Sequence, residues 1–240
     1  MGPVGRARYY YRAIGMDSAF QGRPRNMTML GWFAAGAVAV ATMWSGVAPE
    51  DRLTWWLEIA WVIVGLPVVV VVARTRGITP MLVFLLTLHA IVLCVGAHYT
   101  YEHVPLGEWV RNWTGGNRNN FDRLGHLMQG IVPAIIAREL LRRTSPVPPG
   151  AWLRVLMVAL AVAFSSCFEM IEWCAAVLLG SSADAYLGSQ GDPWDAQWDM
   201  FCALIGATAA TLALSAWHER QLICLQRDAA GSHAQAPRSR

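Results

Sequence analysis

Carboxylate and imidazole side chains occur in pairs whose spacing places both members on one face of a helix. Asp122 precedes His126 by four residues, and Glu169 precedes Glu172 by three. Residues three or four apart lie on the same side of an α-helix. Two carboxylates as close as Glu169 and Glu172 cannot both remain ionised at low dielectric constant unless a cation lies nearby, so otherwise one of them is protonated. The spacing therefore predicts a polar site that binds cations or protons.

Three kinds of chemistry are compatible with these residue types. The side chains could form a network of hydrogen bonds and ion pairs that fixes the helix ends. They could bind a divalent metal ion, because imidazole and carboxylate groups suit zinc and manganese, and such an ion could activate water to hydrolyse a lipid-linked substrate. They could also form the proton-coupled or ion-coupled site of a small carrier. The sequence has no HExxH motif and no closely spaced set of histidines, so all three alternatives stay open.

The hydrolase hypothesis gives each candidate residue a role. Catalytic roles are predicted for Glu169, Glu172, His126 and Asp122. Binding of a lipid head group is predicted for Tyr101, Asn120, Trp173, Trp194 and Asp192. Ligation of a divalent metal ion, the cofactor that these residue types suggest, is predicted for His98, Glu102, Asp195 and Asp199. By contrast, His89 lies midway along an apolar run and is predicted to be a hydrogen-bonded packing residue.

The composition indicates that the elements holding these residues lie in a lipid bilayer. Apolar residues make up 55% of the 240 residues and charged residues 15%, against about 25% charged residues in soluble domains. The mean hydropathy is +0.35. The net charge of +3 comes from arginines clustered between apolar runs, a distribution typical of membrane topology signals. No motif for nucleic-acid binding accompanies them, so the predicted partner is the bilayer.

Six apolar runs have lengths that suit membrane crossing, since a helix needs about 20 residues to span a hydrocarbon core of about 30 Å. They cover residues 29–47, 55–73, 80–97, 124–141, 153–180 and 200–217. We therefore predict an all-α, polytopic membrane helix bundle with about six transmembrane helices. The predicted membrane domain is residues 29–217, with a basic N-terminal tail at residues 1–28 and a C-terminal tail at residues 218–240.

The arginine distribution predicts the orientation of the bundle. If the N-terminus is cytoplasmic, the inner segments are residues 1–28, 74–79, 138–154 and 218–240, and they contain 15 of the 19 basic residues. Cytoplasmic loops of membrane proteins carry such an excess of positive charge. Both termini are therefore predicted to be cytoplasmic. The candidate site then lies at the outer side of a bacterial inner (plasma) membrane.

Tryptophan is abundant near the predicted outer interface. Seven of the 12 tryptophans lie there: Trp55, Trp56, Trp109, Trp113, Trp173, Trp194 and Trp198. Indole rings anchor helices at head-group depth, and this is the simpler interpretation. The alternative is an aromatic platform for a sugar or a lipid head group.

Four motifs resemble the YjdF-type family of bacterial inner-membrane proteins (domain of unknown function 2238). They are Tyr101-Glu102, the NNFDRLGH segment at residues 119–126, the FEMIEW segment at residues 168–173, and residues 190–200. The resemblance covers roughly residues 30–220. It implies an integral inner-membrane protein and no known activity.

A weaker similarity is to VanZ-like membrane proteins. Those proteins have an Asp-x-x-x-His pattern at a helix start, a Glu in the next helix, and an Asp before a closing Gly-rich helix. The corresponding residues here are Asp122, His126, Glu169 or Glu172, Asp199 and Gly206. The Gln and Arg that VanZ-like proteins carry in their second segment have no counterpart, and Trp173 falls where the Gln is expected.

Overall fold

The computed structural model describes residues 27–234, and within this range the chain is helical without β-strands. Most of the predicted N-terminal tail, residues 1–26, lies outside the described residues. The α-helices are α1 (Met29–Ser45), α2 (Arg52–Arg76), α3 (Pro80–Tyr99), α4 (Pro105–Thr114), α5 (Phe121–Thr144), α6 (Ala151–Leu179), α7 (Asp184–Leu187), α8 (Asp195–Ala213) and α9 (Ser215–Ala234). A 3₁₀ turn, Gly180–Ala183, joins α6 to α7. The all-α prediction is confirmed.

Local sequence signals define the start of α2 and the turn between α2 and α3. Asp51 precedes α2 and its side chain accepts a hydrogen bond from the amide of Thr54 at 2.7 Å. The helix ends at Gly77, whose φ of 68° is accessible to glycine at little cost. Thr79 then caps α3, and Pro80 occupies its first turn, where a missing N–H does no harm.

Three helical segments of the described residues are long and apolar enough to cross a membrane: α2, α3 and the continuous helix Ala151–Leu187. Helix α1 is apolar but has only 17 residues. Helices α8 and α9 reach the required length only as a pair, and a bend of 63° separates them. Helix α5 carries polar residues along its length and packs against α3, α6, α8 and α9. Apolar spanning helices agree with a membrane protein, while six crossings and cytoplasmic termini stay predictions.

Helix α5 forms the centre of the bundle, and its closest neighbour is α8. Two glycines allow the close approach. A Cβ atom at Gly130 would lie 2.0 Å from the carbonyl oxygen of Ala203, and one at Gly206 would lie 2.2 Å from that of Leu127. Small residues at helix interfaces permit such backbone contact in membrane proteins. The register of α5 against α8 therefore depends on these glycines.

An apolar core fills the half of the bundle that is predicted to face the cytoplasm. Its buried members come from α3, α5, α6 and α8: Met81, Leu82, Leu85, Met128, Val132, Ala134, Ile135, Leu153, Met157, Ala161, Ala207 and Ala210. A second core joins α1, α2 and α3 through Val38, Trp55, Ile59, Val62, Cys94 and Ala97. The two cores leave polar side chains to the two ends of the bundle.

Helix α9 folds back onto the inner end of the bundle, where His218 is fully buried. Its Nε2 atom lies 3.1 Å from Thr79 Oγ1 and 3.2 Å from Glu139 Oε2. The Thr79 hydroxyl donates to the same carboxylate oxygen at 2.8 Å. We call this group the inner latch. This packed helix was not predicted from the sequence, which instead predicted a C-terminal tail from residue 218.

Glu219 of α9 makes the attachment of this helix dependent on pH. Burial raises the pKa of Glu219, but the hydrogen bond from Arg142 and the charges of Arg142, Arg138 and His218 outweigh it, so the pKa lies below 4.5. A carboxylate with a depressed pKa stabilises the fold above its ordinary pKa, and this contribution is lost as the pH falls through the folded-state value.

We therefore expect α9 to loosen at acid pH. Hydrogen-exchange protection factors of α9 amides should be constant from pH 7 to about pH 5 and should fall below about pH 4.5. Glu219→Gln should lower protection at pH 7 and reduce the acid transition, whose remainder reflects Glu139, the carboxylate that contacts His218 of α9. Glu50→Gln, at the opposite end of the bundle, serves as the control. An acid transition of wild-type size in Glu219→Gln would assign it to another group.

Candidate functional site

Acidic and imidazole side chains from four helices meet at the end of the bundle that is predicted to face outward. We call this set, together with the tyrosine that contacts it, the acidic cluster: Glu58 from α2, Tyr101 from the loop after α3, Asp122 and His126 from α5, Glu169 and Glu172 from α6, and Asp195 and Asp199 from α8. All of its members are buried except Glu169, which is partly buried.

Asp122, His126 and Asp199 form the tightest part of the cluster. One potential ligand atom from each lies within 4.8 Å of the other two, and the residues are 9%, 3% and 2% exposed. His126 Nε2 lies 3.6 Å from Asp122 Oδ1. Within the described residues, Asp199 Oδ1 and His126 Nδ1 have no hydrogen-bond partner. Imidazole and carboxylate donors at this separation suit a divalent ion such as zinc or manganese.

Glu169 lies on the other side of the His126 ring. Its Oε1 atom is 3.4 Å from His126 Nδ1, although neither atom forms a hydrogen bond to the described part of the chain. A carboxylate therefore lies at the second ring nitrogen of His126. Carboxylates that orient metal-binding histidines commonly occupy this position. Glu172, one helical turn further along α6, is also buried and faces the same space.

Glu58 is a member of the cluster that the sequence analysis missed. It is buried in α2, and its Oε2 accepts a hydrogen bond from the Tyr101 hydroxyl at 3.1 Å. The available signal was a single carboxylate inside an otherwise apolar run. Charged residues at such depth are costly and usually face the bundle interior.

Arg118 provides positive charge beside the cluster. Its Nη2 atom lies 2.6 Å from Asp195 Oδ1 and 3.5 Å from Asp122 Oδ2. The guanidinium also donates to the carbonyl oxygens of Ser189 at 2.6 Å and Gly188 at 3.2 Å. Arg118 therefore connects α5, α8 and the loop between α7 and α8.

Six carboxylates of the described chain share little positive charge. They are Glu58, Asp122, Glu169, Glu172, Asp195 and Asp199. Arg118 contacts two of them, while the nearby Arg123 forms its ion pair with Asp192 at 3.0 Å. Uncompensated buried charge costs several kcal/mol per ion. The remaining negative charge must therefore be neutralised by protons or by a bound cation.

Asn119 fixes the loop that carries Arg118. Its side-chain amide donates to the carbonyl oxygens of Glu102 at 2.9 Å and Val104 at 3.1 Å. Its backbone exchanges two hydrogen bonds of 2.9 Å with the Gln190 side chain. Asn119 is buried, whereas the predicted binding residue Asn120 is exposed. Asn119, and not Asn120, therefore holds this loop in place.

The structure brings together seven of the residues that the sequence predicted for the site: Tyr101, Asp122, His126, Glu169, Glu172, Asp195 and Asp199. Of the four predicted metal ligands, Asp195 and Asp199 belong to the cluster, whereas His98 and Glu102 do not. His98 lies apart, with Nδ1 3.0 Å from the Ser45 carbonyl oxygen and its ring stacked on Trp44 at 4.7 Å. Glu102 is half-buried in the loop after α3.

The predicted binding residues outside the cluster lie at the surface. Trp173 and Trp194 are 62% and 64% exposed, which is typical of interfacial anchors. Asp192 binds Arg123 and accepts a hydrogen bond from the Trp194 amide at 2.9 Å. These three residues and Asn120 therefore do not line the cluster.

Two cavities adjoin the cluster. The first is polar, lies among Glu58, Tyr101, Asp122, His126 and Glu172, and has a volume of about 10 Å³, which is space for about one water molecule or ion. The second is apolar, has a volume of about 460 Å³, and lies between α1, α2, α3, α5 and α6. Residues Leu93, Gln129 and Phe168 line both cavities.

The apolar spanning helices and the cluster buried among them define a multi-pass helical membrane protein. The chain belongs to the YjdF-like family of inner-membrane proteins: residues 30–220 match the family described as "Predicted membrane protein (DUF2238)". It is 43% identical over 189 residues to "Inner membrane protein YjdF" of Escherichia coli (strain K12), covering 79% of this chain and 90% of that protein.

These comparisons confirm the first resemblance and the inner-membrane location, so the bilayer is the protein's environment. The weaker similarity to VanZ-like proteins is not shown by them. No solved structure matches the chain.

Proposed function

We propose that the protein is a metal-dependent hydrolase of the inner membrane that acts on a lipid-type substrate of the cell envelope. Asp122, His126 and Asp199 are the proposed ligands of a divalent cation. The observation that supports this proposal is the convergence of their donor atoms to within 4.8 Å, in a buried and negatively charged environment. This set differs from the ligands predicted from the sequence and retains only Asp199.

The remaining cluster residues have roles that follow from their contacts. A divalent cation here would supply Lewis acidity and lower the pKa of a bound water molecule. Glu169, 3.4 Å from His126 Nδ1, orients the imidazole. Arg118 orients Asp122 and Asp195. Glu172 lines the small polar cavity beside Asp122 and His126, so it is placed to accept a proton from water in that cavity.

A carrier is the less favoured alternative because the polar side chains do not continue through the bundle. Gln129 and Glu139 of α5 are ten residues apart, which corresponds to about 15 Å along a helix. Buried Val132 and Ile135 lie between them and belong to the apolar core described above. An ion at the acidic cluster would have to cross this layer to reach the inner latch.

A structural network of paired charges remains the second candidate. The contacts of Arg118 with Asp122 and Asp195 favour it. A purely structural network would satisfy its members by mutual hydrogen bonding, whereas Asp199 Oδ1 and His126 Nδ1 have no hydrogen-bond partner among the described residues. A measurement of metal binding therefore distinguishes the proposed hydrolase from a structural network.

The test is metal analysis of protein purified in detergent, treated with a chelator and reloaded with zinc or manganese. We expect about one ion per chain in the wild type and loss of binding in His126→Ala and Asp199→Asn, because each removes a proposed ligand. Glu169→Gln should weaken metal binding by about 10-fold to 100-fold, the usual effect of an outer partner.

Asp192→Asn is the matched control, since Asp192 is an acidic residue at the same end of the bundle that pairs with Arg123 outside the proposed ligand set. It should bind metal like the wild type. Failure of the wild type to retain any ion at micromolar metal would reject the hydrolase proposal and favour the paired network.

A further inference from the structure

The apolar cavity has the size and position of a ligand site within the bundle. Its volume of about 460 Å³ lies within the range of about 300–1,000 Å³ that is typical of small-molecule pockets. Along α5 it extends from Gln129 to Leu140, and a separation of 11 residues corresponds to about 16 Å along a helix. The cavity therefore runs from the acidic cluster toward the inner side of the membrane.

Two buried polar atoms without partners line this largely apolar cavity. Gln129 is 4% exposed, and its Oε1 atom has no hydrogen-bond partner within residues 27–234. The same is true of His89 Nε2 on α3, a residue that the sequence predicts to be a hydrogen-bonded packing histidine. Buried polar atoms are normally paired. Two unpaired atoms lining one apolar cavity indicate a ligand that carries a polar group.

The walls of the cavity indicate what the rest of this ligand is. Away from Gln129 and His89 the lining is almost entirely aliphatic and aromatic, with Val69, Leu86 and Phe164 as examples. The cavity also adjoins the polar one, because Leu93, Gln129 and Phe168 line both. A molecule that matches this pattern has a polar group at the acidic cluster and a hydrocarbon chain directed away from it.

We propose that the cavity binds one hydrocarbon chain of a membrane lipid, with the polar group at the head of the chain hydrogen-bonded to Gln129 and His89. The proposal rests on the proposed function and narrows its substrate to a lipid that enters chain first, so that its polar end lies at the edge of the cation site. The chain then extends along α5 toward Leu140.

Gly65 provides a way to fill the cavity without disturbing the cation site. It lines the cavity on α2, and no atom lies within 4 Å of the position of an added Cβ. Gly65→Leu should therefore fold and occupy part of the chain site. Gly36 on α1 has equally open space but does not line the cavity. Gly36→Leu is thus the matched control for adding an apolar side chain to a spanning helix.

The experiment uses a single-chain lipid alcohol with a photoreactive diazirine at the end of its chain, incorporated into nanodiscs with the full-length protein. Crosslinked residues are identified by mass spectrometry. We expect labelling near Val70, Ala73 and Leu140, a loss of at least 10-fold in Gly65→Leu, and unchanged labelling in Gly36→Leu. Gln129→Leu should weaken labelling several-fold, because it removes a hydrogen bond to the hydroxyl of the probe.

The metal content of Gly65→Leu is measured in parallel, so that the two proposals can fail separately. Normal metal binding with lost labelling supports the chain site. Equal labelling of wild type and Gly65→Leu would mean non-selective contact with bilayer lipid, and would overturn the inference even if the cation site exists. Labelling that appears only after deletion of residues 1–26 would mean that this segment occupies the cavity, and would also overturn it.

Discussion

Gly130→Leu is expected to prevent the folding of the bundle, because the contact between α5 and α8 leaves no space for a side chain. A Cβ atom at residue 130 would lie 2.0 Å from the carbonyl oxygen of Ala203 and 2.8 Å from the amide nitrogen of Ala207. Both are backbone atoms of a helix and cannot move aside as the end of a side chain can. The helices would have to separate, which would disrupt the apolar core and pull Asp199 away from Asp122 and His126.

The destabilisation should exceed about 4 kcal/mol, which is exceptional for one substitution. The measurable result is loss of the monodisperse species in size-exclusion chromatography in detergent and loss of a cooperative thermal transition. Gly36→Leu, which adds the same side chain at an open position of α1, should behave like the wild type. A Gly130→Leu protein with a wild-type melting temperature would show that α5 and α8 do not pack at this distance.

Arg118→Met is expected to give the second largest effect, because it leaves Asp122 and Asp195 without their counter-charge. The substitution also removes the hydrogen bonds to the carbonyl oxygens of Ser189 and Gly188. Removal of one partner from a buried ion pair costs about 3–5 kcal/mol, since the other charge stays buried and unpaired. The melting temperature in detergent should fall accordingly.

Arg111→Met is the control for this substitution, since Arg111 pairs with Glu108 on the more exposed helix α4. Exposed pairs contribute about 1 kcal/mol or less. The double variant Arg118→Met/Asp195→Asn should recover part of the lost stability, because it removes one of the two unpaired charges. Equal melting temperatures for Arg118→Met and Arg111→Met would contradict a buried role for Arg118.

The part of the site that could be predicted from the sequence is the part that depends on one helix at a time. The spacing of Asp122 and His126, and of Glu169 and Glu172, determines which residues share a helix face, and the structure has both pairs facing inward. The apolar runs similarly predicted helical segments, and six of the structure's helices correspond to them.

The parts that could not be predicted depend on contacts between helices. Glu58 joins the cluster because α2 packs beside the loop that carries Tyr101, and no local pattern contains that information. His98 has suitable chemistry for a ligand, but it lies against Ser45 and Trp44 of α1. The depth at which α8 meets α5 is determined by Gly130 and Gly206. The residue types identified the candidate site residues, but the packing of the helices determines which of them meet in the acidic cluster.

The depth of the acidic cluster has a consequence for cation binding in a living cell. His126 lies five residues into α5, which is about 7 Å along the helix and about a quarter of a 30 Å hydrocarbon core. In the proposed orientation, a divalent ion that enters from outside crosses that fraction of the transmembrane voltage. With about 2.3 kcal/mol per charge for a full 100 mV, an inside-negative potential strengthens its binding by about 1 kcal/mol. A divalent cation bound at the proposed site would thus be held several-fold more tightly in an energised membrane than in a depolarised one.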